Sequence, residues 1–293
     1  MNPTLPPPGW AVDPLLQAIA DRCTAWLQGR DLGVEDICLG HPVSWAIVRD
    51  GQGRRGLGAA LTPIGESNDR DGLFAGLSQD WRDWPLSALP ARLLARHPLE
   101  RCIALAAINA VSQYRLGWEN LAPVEPGERG EREAGQGGGR ASVVRWVAAQ
   151  TPQRLVMIGN MQPLVAGLRE FGIVPMVFER HASNRCGALN DAQEWAWLPH
   201  ADGLIATGAT LVNHTLAPLV AWTGAARFRI LVGFSAQTHP AFLAGLGLTH
   251  VFSVHVDDVD GIRRRLQLGH WNAMFESETP YLARLADKTP GLL

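Results

Sequence analysis

Beyond residue 142 the chain repeats one rhythm, and that rhythm constrains the fold more than any other feature. Short apolar runs, "RLVMIGN", "IVPMVFER", "DGLIATG", "RFRILVGFS" and "THVFSVHV", read as strands. Between and after them, "PLVAGLREFG", "DAQEWAWLPHA", "NHTLAPLVAWTG", a segment from Pro240 and "DVDGIRRRLQLG" read as helices. The joints are only a few residues long. Runs that are apolar at nearly every position belong to strands buried on both faces. The pattern therefore predicts a parallel, Rossmann-like sheet covered by helices on both sides, with right-handed crossovers. Glycine turns and helix-capping groups concentrate after the first, third and fourth runs, which favours strand order 2-1-3-4-5 over 3-2-1-4-5.

The first part of the chain has a different order. "DPLLQAIADRCTAWLQG" has helical spacing, with Asp13 as N-cap and Pro14 at the first helical position. "VEDICLG", "VSWAIVRD" and "LGAALTP" read as strands, with the turn residues of "GQGRRG" between the last two. "PLSALPARLLARH" and "LERCIALAAINAVSQYRLG" then read as helices, an α+β arrangement. The stretch from Glu119 to Ser142 is rich in Gly, Glu and Arg and poor in apolar residues, so it reads as a linker or insertion. The expectation is an α/β protein with an α+β domain over 1–118, a flexible segment over 119–142 and a Rossmann-like domain over 143–293.

Bulk properties exclude several function classes. With 293 residues, 46% of them hydrophobic and 18% charged, the chain can bury two sizeable cores. A formal net charge of -2 supplies no field for a nucleic acid. Cys23, Cys38, Cys102 and Cys186 are scattered without a CxxC pair, as expected of reduced thiols in a cytoplasmic protein. The opening "MNPTLPPPGW" lacks a basic region followed by an apolar run, and no stretch is long and apolar enough to span a bilayer. No nucleic-acid or membrane partner is expected.

Ligands of open α/β sheets bind beyond the carboxyl ends of the strands. Here those ends are Gly159–Pro163, Glu179–Cys186, Thr207–Thr215 and Gly233–Pro240. The first loop lacks GxGxxG and the Walker lysine, so no ordinary NAD or ATP site is expected. Glu179 stands where ribose hydroxyls are held in cofactor-binding sheets. Glu179, His181 and Cys186 fall within eight residues and are chemically suited to zinc or a similar metal. Ser235 is a nucleophile only if His239 or His214 reaches it; otherwise it is a hydrogen-bonding group. His250 and His255 lie on opposite faces of one strand and cannot share a metal. Thr207, Thr210, Asn213 and His214 gather at a helix start, which favours an anionic ligand, although helix capping alone accounts for Asn213 or Thr215. Asn109, on an otherwise apolar helix, either faces a cleft between the domains or satisfies a backbone group. Trp81, Trp84 and Trp271 are candidates for an exposed partner surface.

"IGNMQPL", "HADGLIATGATLVNHTL" and "LVGFSAQTHPAFLAGLG" resemble the C-terminal domain of the "putative heavy-metal chelation" family of prokaryotic proteins. There the third-strand loop reads TGTTLVNGT and the fourth-strand loop GPSA. "FAGLS" (Phe74 to Ser78) and "ALAAINAVS" (Ala104 to Ser112) resemble the family's enolase N-terminal-like companion domain. The chain departs from the family pattern at Phe234, at His214 and at Asn160-Met161. The resemblance implies a cytoplasmic protein that binds a heavy metal or an anionic metal chelate between its two domains, with a transition metal as the candidate cofactor and a homodimer as the candidate assembly. The ligand set is then Gly159, Asn160, Glu179, Thr207, Gly208, Thr210, Asn213, His214, Gly233, Ser235 and Asn109, with Glu179, His181 and Cys186 on the metal. The alternative is an enzyme that places a nucleotide-type cofactor such as S-adenosylmethionine in the same cleft, with Glu179 on its ribose.

Overall fold

A computed structural model describes residues 12–63, 77, 80–116, 138–276 and 279–286. Helix α1 (Pro14–Leu27) starts as its sequence dictates: Asp13 Oδ1 accepts from the backbone N–H groups of Leu15 and Leu16 at 2.9 and 3.1 Å. Its buried stripe is Leu15, Leu16, Ile19, Ala20 and Cys23, the spacing of one helical face. Strands β1 (Leu32–Cys38), β2 (Val43–Asp50) and β3 (Arg55–Leu61) form an antiparallel meander in that order. Asp50 closes the second turn by accepting from the backbone of Gln52 and Arg54.

Helix α2 (Pro98–Leu116) lies across this sheet and is buried at every position from Cys102 to Tyr114. Its backbone rests directly on β3, because a Cβ on Gly58 would collide with Ala110 N. The segment "PLSALPARLLARH" forms no α-helix. It makes two 3₁₀ turns, Leu86–Ala88 and Pro90–Leu94, because Pro90 has no N–H to continue a helical ladder. Trp84 is buried beneath the Arg92 guanidinium, 4.0 Å from the ring centroid, and is no surface residue. Among the described residues the exposed tryptophans are instead Trp195, Trp197 and Trp222.

The second sheet contains β4 (Leu155–Ile158), β5 (Met176–Phe178), β6 (Gly203–Thr207), β7 (Phe228–Val232), β8 (His250–His255) and β9 (Thr279–Arg284). Its order is β5-β4-β6-β7-β8-β9. The first five strands are parallel and give the expected order 2-1-3-4-5; β9 joins antiparallel to β8 and was not expected. Helix α3 (Gly138–Ala149) begins inside the stretch read as a linker, whose earlier residues, like "FAGLS" apart from Leu77, lie outside the described residues. After β5 comes the short α5 (Glu194–Trp197). The helix expected over "NHTLAPLVAWTG" is shorter, α7 (Leu216–Trp222); a separate single turn, α6 (Ala209–Val212), precedes it, and His214 between them has φ 57°. Helix α4 (Gln162–Glu170) follows β4, α8 (Pro240–Leu243) follows β7, and α9 (Val259–Gln267) and α10 (Ala273–Glu276) follow β8.

Alternate residues of the parallel strands enter different cores. Leu155, Met157, Ile205 and Ile230 pack with Val143, Val147 and Leu164 of α3 and α4. Val156, Ile158, Leu204 and Leu231 pack instead with α1 and α2. The first half of the chain thus supplies one of the two layers that the parallel sheet needs, and a single apolar core runs between them. Among the described residues no helix is long and apolar enough to cross a membrane.

The join is also stitched by polar groups. The free edge of β3 is bonded by side chains of the loop after β7: Ala59 N–H donates to Gln237 Oε1 at 2.9 Å and Leu61 N–H to Ser235 Oγ at 2.9 Å. Arg101 Nε donates to Val212 O at 2.6 Å, and Arg55 forms a two-pronged pair with Asp260 at 2.9 and 2.6 Å. Because β4 has β5 on one side and β6 on the other, the loops after β4 and β6 diverge there. That is the crevice where open α/β sheets bind ligands.

Candidate functional site

A cavity of about 740 Å³ occupies this crevice, with Ile158, Phe178, Thr207 and Val232 at the strand ends. Leu61 and Pro63, at the end of β3, bring the other sheet to its wall. One part of the lining is aromatic: the Phe234 ring lies 6.3 Å from Trp271 and 5.8 Å from Phe275, centroid to centroid. Another part is polar and comes from the four expected loops. A second cavity, about 720 Å³, lies against β1 beside Arg30, Trp45 and Arg82, away from the strand ends.

Nine of the expected residues line the crevice: Gly159, Asn160, Glu179, His181, Thr207, Thr210, Asn213, Gly233 and Ser235. Their side chains are not equally available. Glu179 is buried, and its carboxylate accepts three hydrogen bonds: from Asn160 N–H and Asn184 Nδ2 on one oxygen and from His181 N–H on the other, each at 2.9 Å. Asn160 Nδ2 donates to Asn184 O at 2.6 Å and Arg185 O at 3.1 Å, and its Oδ1 accepts from Gln162 Nε2 at 2.6 Å. Together they clip the second loop to the first. Thr210 Oγ1 donates to Thr207 O at 2.7 Å, holding the third loop on itself.

The metal trio is not assembled. Cys186 is exposed, sits at φ 37° and does not line the cavity. A 3₁₀ turn, Ala182–Asn184, separates it from His181, while N–H donors occupy the Glu179 oxygens. Among the described residues no three His, Cys, Asp or Glu side chains are grouped to hold a metal ion. Proximity in sequence failed as a guide because this loop folds around the carboxylate rather than around a cation.

Four further expectations change. His214 points away from the cavity and its Nε2 lies 2.8 Å from Leu93 O; burial, then the nearby Arg101, lower its pKa. Gly208 is outside the lining, and its role is close approach: a Cβ there would collide with the backbone of Ser235 and Ala236, where the third and fourth loops cross. Asn109 does not face the cavity. It donates to Ala59 O at 2.8 Å and Ser235 O at 3.2 Å and accepts from Thr238 Oγ1 at 2.9 Å, so it belongs to the join between sheets. Ser235 Oγ accepts from Leu61 N–H, and no hydrogen bond links it to His214 or His239 among the described residues; the nucleophile reading has no base. His239 is buried, its pKa pushed down to about 3 by burial and then by Arg115, and its Nδ1 caps α8.

Asn213 and Thr215 move the other way. Both line the cavity, neither caps a helix with its side chain, and neither side chain has a hydrogen bond to a described residue. Sequence reasoning missed Arg180, Asp191 and Glu194, which line the same space, and the aromatic residues Trp271 and Phe275. "DAQEW" reads as an ordinary acidic helix start, so nothing local marked Glu194; Phe234, a departure from the family loop, was the one available signal for the aromatic wall.

Two family models match the chain, DUF364 over residues 143–282 and DUF4213 over residues 25–112, and both are described as "Putative heavy-metal chelation". The chain belongs to this family. "Uncharacterized protein MJ0500" of Methanocaldococcus jannaschii is 28% identical over 272 residues, covering 89% of this chain and 94% of the relative. A DUF364 protein of Pyrococcus horikoshii, with unknown function, superposes with a TM-score of 0.77 at 26% identity, over 92% of this chain and 100% of that one. Another from Desulfitobacterium hafniense gives 0.68 at 19% identity, over 92% and 99%, a likeness of fold. The heavy-metal chelation description points to a metal-binding role, and the geometry above bears on how such a role is carried out.

Proposed function

We propose that this heavy-metal chelation family protein is a small-ligand-binding protein that holds its metal as an organic chelate in the crevice between the two sheets. The observation that carries this reading is the cavity itself. It has the volume of a small-molecule site, an aromatic wall and a few unengaged polar groups, Asn213 and Thr215 among them. A bare ion needs several protein donors converging at one point, and the described residues offer none grouped that way. An organic ligand supplies those donors itself and needs from the protein only shape and a few oriented contacts. The rival reading, an enzyme with S-adenosylmethionine on Glu179, loses support because three N–H groups already occupy that carboxylate.

The test is to purify the full chain without chelators and to combine elemental analysis with native mass spectrometry. The expected result is a metal together with an organic mass, both lost from an Asn213→Trp variant whose indole fills the crevice. A metal without organic mass, or a nucleoside mass without metal, overturns the reading.

A further inference from the structure

The described residues include four buried carboxylates, Asp50, Glu100, Glu179 and Glu194, and three have partners of their own. Asp50 takes the N–H groups of Gln52 and Arg54, the Arg54 guanidinium and the Tyr114 hydroxyl. Glu100 pairs through Oε2 with Arg92 at 2.9 Å, which leaves its buried Oε1 without a hydrogen bond among the described residues. Glu179 accepts its three N–H bonds. Glu194 is 7% exposed and lines the crevice, yet no described residue gives it a hydrogen bond or an ion pair. Its oxygens are not among the fully buried unpartnered atoms, so they open on the crevice, where a donor from the solvent or from a ligand can satisfy them.

The surroundings specify the charge of that partner. Among the described residues, the charged and titratable side chains lining the cavity are Glu179, Arg180, His181, Asp191 and Glu194. That is three carboxylates against one guanidinium, and Asp191 already holds Arg180 at 2.7 Å. Burial first, then Asp191, raise the Glu194 carboxyl to about 7, with Arg180 opposing. Such a wall repels an anion and strengthens a charge-assisted bond to a cationic N–H donor. This reverses the sign suggested by a helix start alone, and α6, with only four residues from Ala209 to Val212, is too short to impose it. A metal cation is a poorer match, because Glu194 belongs to no group of three metal-binding side chains.

We propose that Glu194 is the polar anchor of the crevice and pairs with a protonated nitrogen, of the amine or amidine class, on a ligand whose apolar body lies against Phe234, Trp271 and Phe275. The proposal rests on the crevice being the binding site, as argued above, and adds the sign of the ligand's charge. An ammonium group seated there gives its N–H bonds to the two free oxygens of Glu194, while the ring wall takes the apolar surface.

Two probes share one ring and differ in charge, tryptamine and indole-3-propionate. Each is titrated calorimetrically into the full chain at pH 8, into Glu194→Gln and into Asn213→Trp. Tryptamine is expected to bind at least about tenfold more tightly than the acid and to lose about that factor in Glu194→Gln, the loss of one charge-assisted contact. Equal or tighter binding of the acid, or full retention of the amine by Glu194→Gln, overturns the charge preference. If Asn213→Trp still blocks that binding, the crevice reading survives. Binding of neither probe overturns both. A ligand-free readout guards against a misfolded variant. The folded chain holds the Glu194 proton more tightly than the unfolded chain, so stability from this group falls as pH rises from about 4.5 through about 7. Glu194→Gln should therefore melt about 4 °C above the parent at pH 8, with the gap closing toward pH 5. A lower melting temperature at pH 8 would mean that Glu194 has a structural partner, and the proposal fails.

Discussion

Asn109 and Asn213 carry the same side chain in two regions of one molecule, and the contrast between those regions separates scaffold from site. In the join between sheets, Asn109 uses both its N–H groups and its oxygen on Ala59, Ser235 and Thr238. Around it, Gln237 bonds Ala59 and Val254, Ser112 Oγ accepts from His239 N–H, and Gln113 Oε1 accepts from Val256 N–H. One loop away, in the crevice, the side chains of Asn213, Thr215 and Glu194 have no hydrogen bond to a described residue. The join brings α2 and β3 against the loop after β7, and the crevice is built at the ends of the parallel strands, but the residue types are similar. What distinguishes the two regions is that hydrogen-bonding capacity is largely occupied in the join, Gln113 Nε2 being an exception, and open in the crevice.

The contrast breaks first at Asn109. Replacing it with Leu keeps roughly its volume and leaves Ala59 O, Ser235 O and the Thr238 hydroxyl without their partner inside the core. Each orphaned buried group costs about 1–3 kcal/mol, so Asn109→Leu should destabilise the chain by about 4 kcal/mol in urea unfolding. A loss below about 1 kcal/mol would mean that the join relaxes around the change and is not a rigid frame.

An intermediate effect is expected at Glu179, which stands in the crevice wall but is bonded like a residue of the join. Glu179→Gln turns one acceptor oxygen into an NH₂ that faces an N–H donor from Asn160 or His181. The expected loss is about 1–2 kcal/mol, with faster amide exchange over residues 180–185. A variant as stable as the parent, with unchanged exchange, would place Glu179 among the free groups and reopen its part in ligand binding.

The parallel sheet was legible in the sequence because its signal is local. Five apolar runs, each bounded by turn residues, could form little else, and the richer loops after β4, β6 and β7 marked the switch point. The α1 cap at Asp13 was readable for the same reason. What escaped depends on partners distant in sequence. Asn109 meets Ala59 and Ser235 across 50 and 126 positions, and His214 meets Leu93 across 121. No window of the chain shows that these polar groups are already engaged. Strand β9 was missed because it is an edge strand with Pro280 near its start, a pattern that reads as tail rather than sheet. The proposed metal trio was the opposite error, three suitable side chains close in sequence that the loop geometry holds apart. Glu194 was invisible because burial, not residue type, makes it unusual.

The smallest expected change in stability is also the sharpest test of the comparison. Asn213 lies at the C-cap of α6, where its side chain makes no capping bond, and no described side chain or backbone group depends on it. Asn213→Ala removes an amide that faces only the crevice, so unfolding free energy should stay within about 0.5 kcal/mol of the parent. The same change should cost affinity for the co-purified ligand, because an amide left unengaged by the protein is free to orient one. Stability and binding would then separate at Asn213, whereas both should fall together at Asn109, which reaches the ligand only through the frame. If Asn213→Ala destabilises the chain as strongly as Glu179→Gln, the crevice and the join obey one rule. In that case an unoccupied hydrogen-bonding group would no longer identify the site.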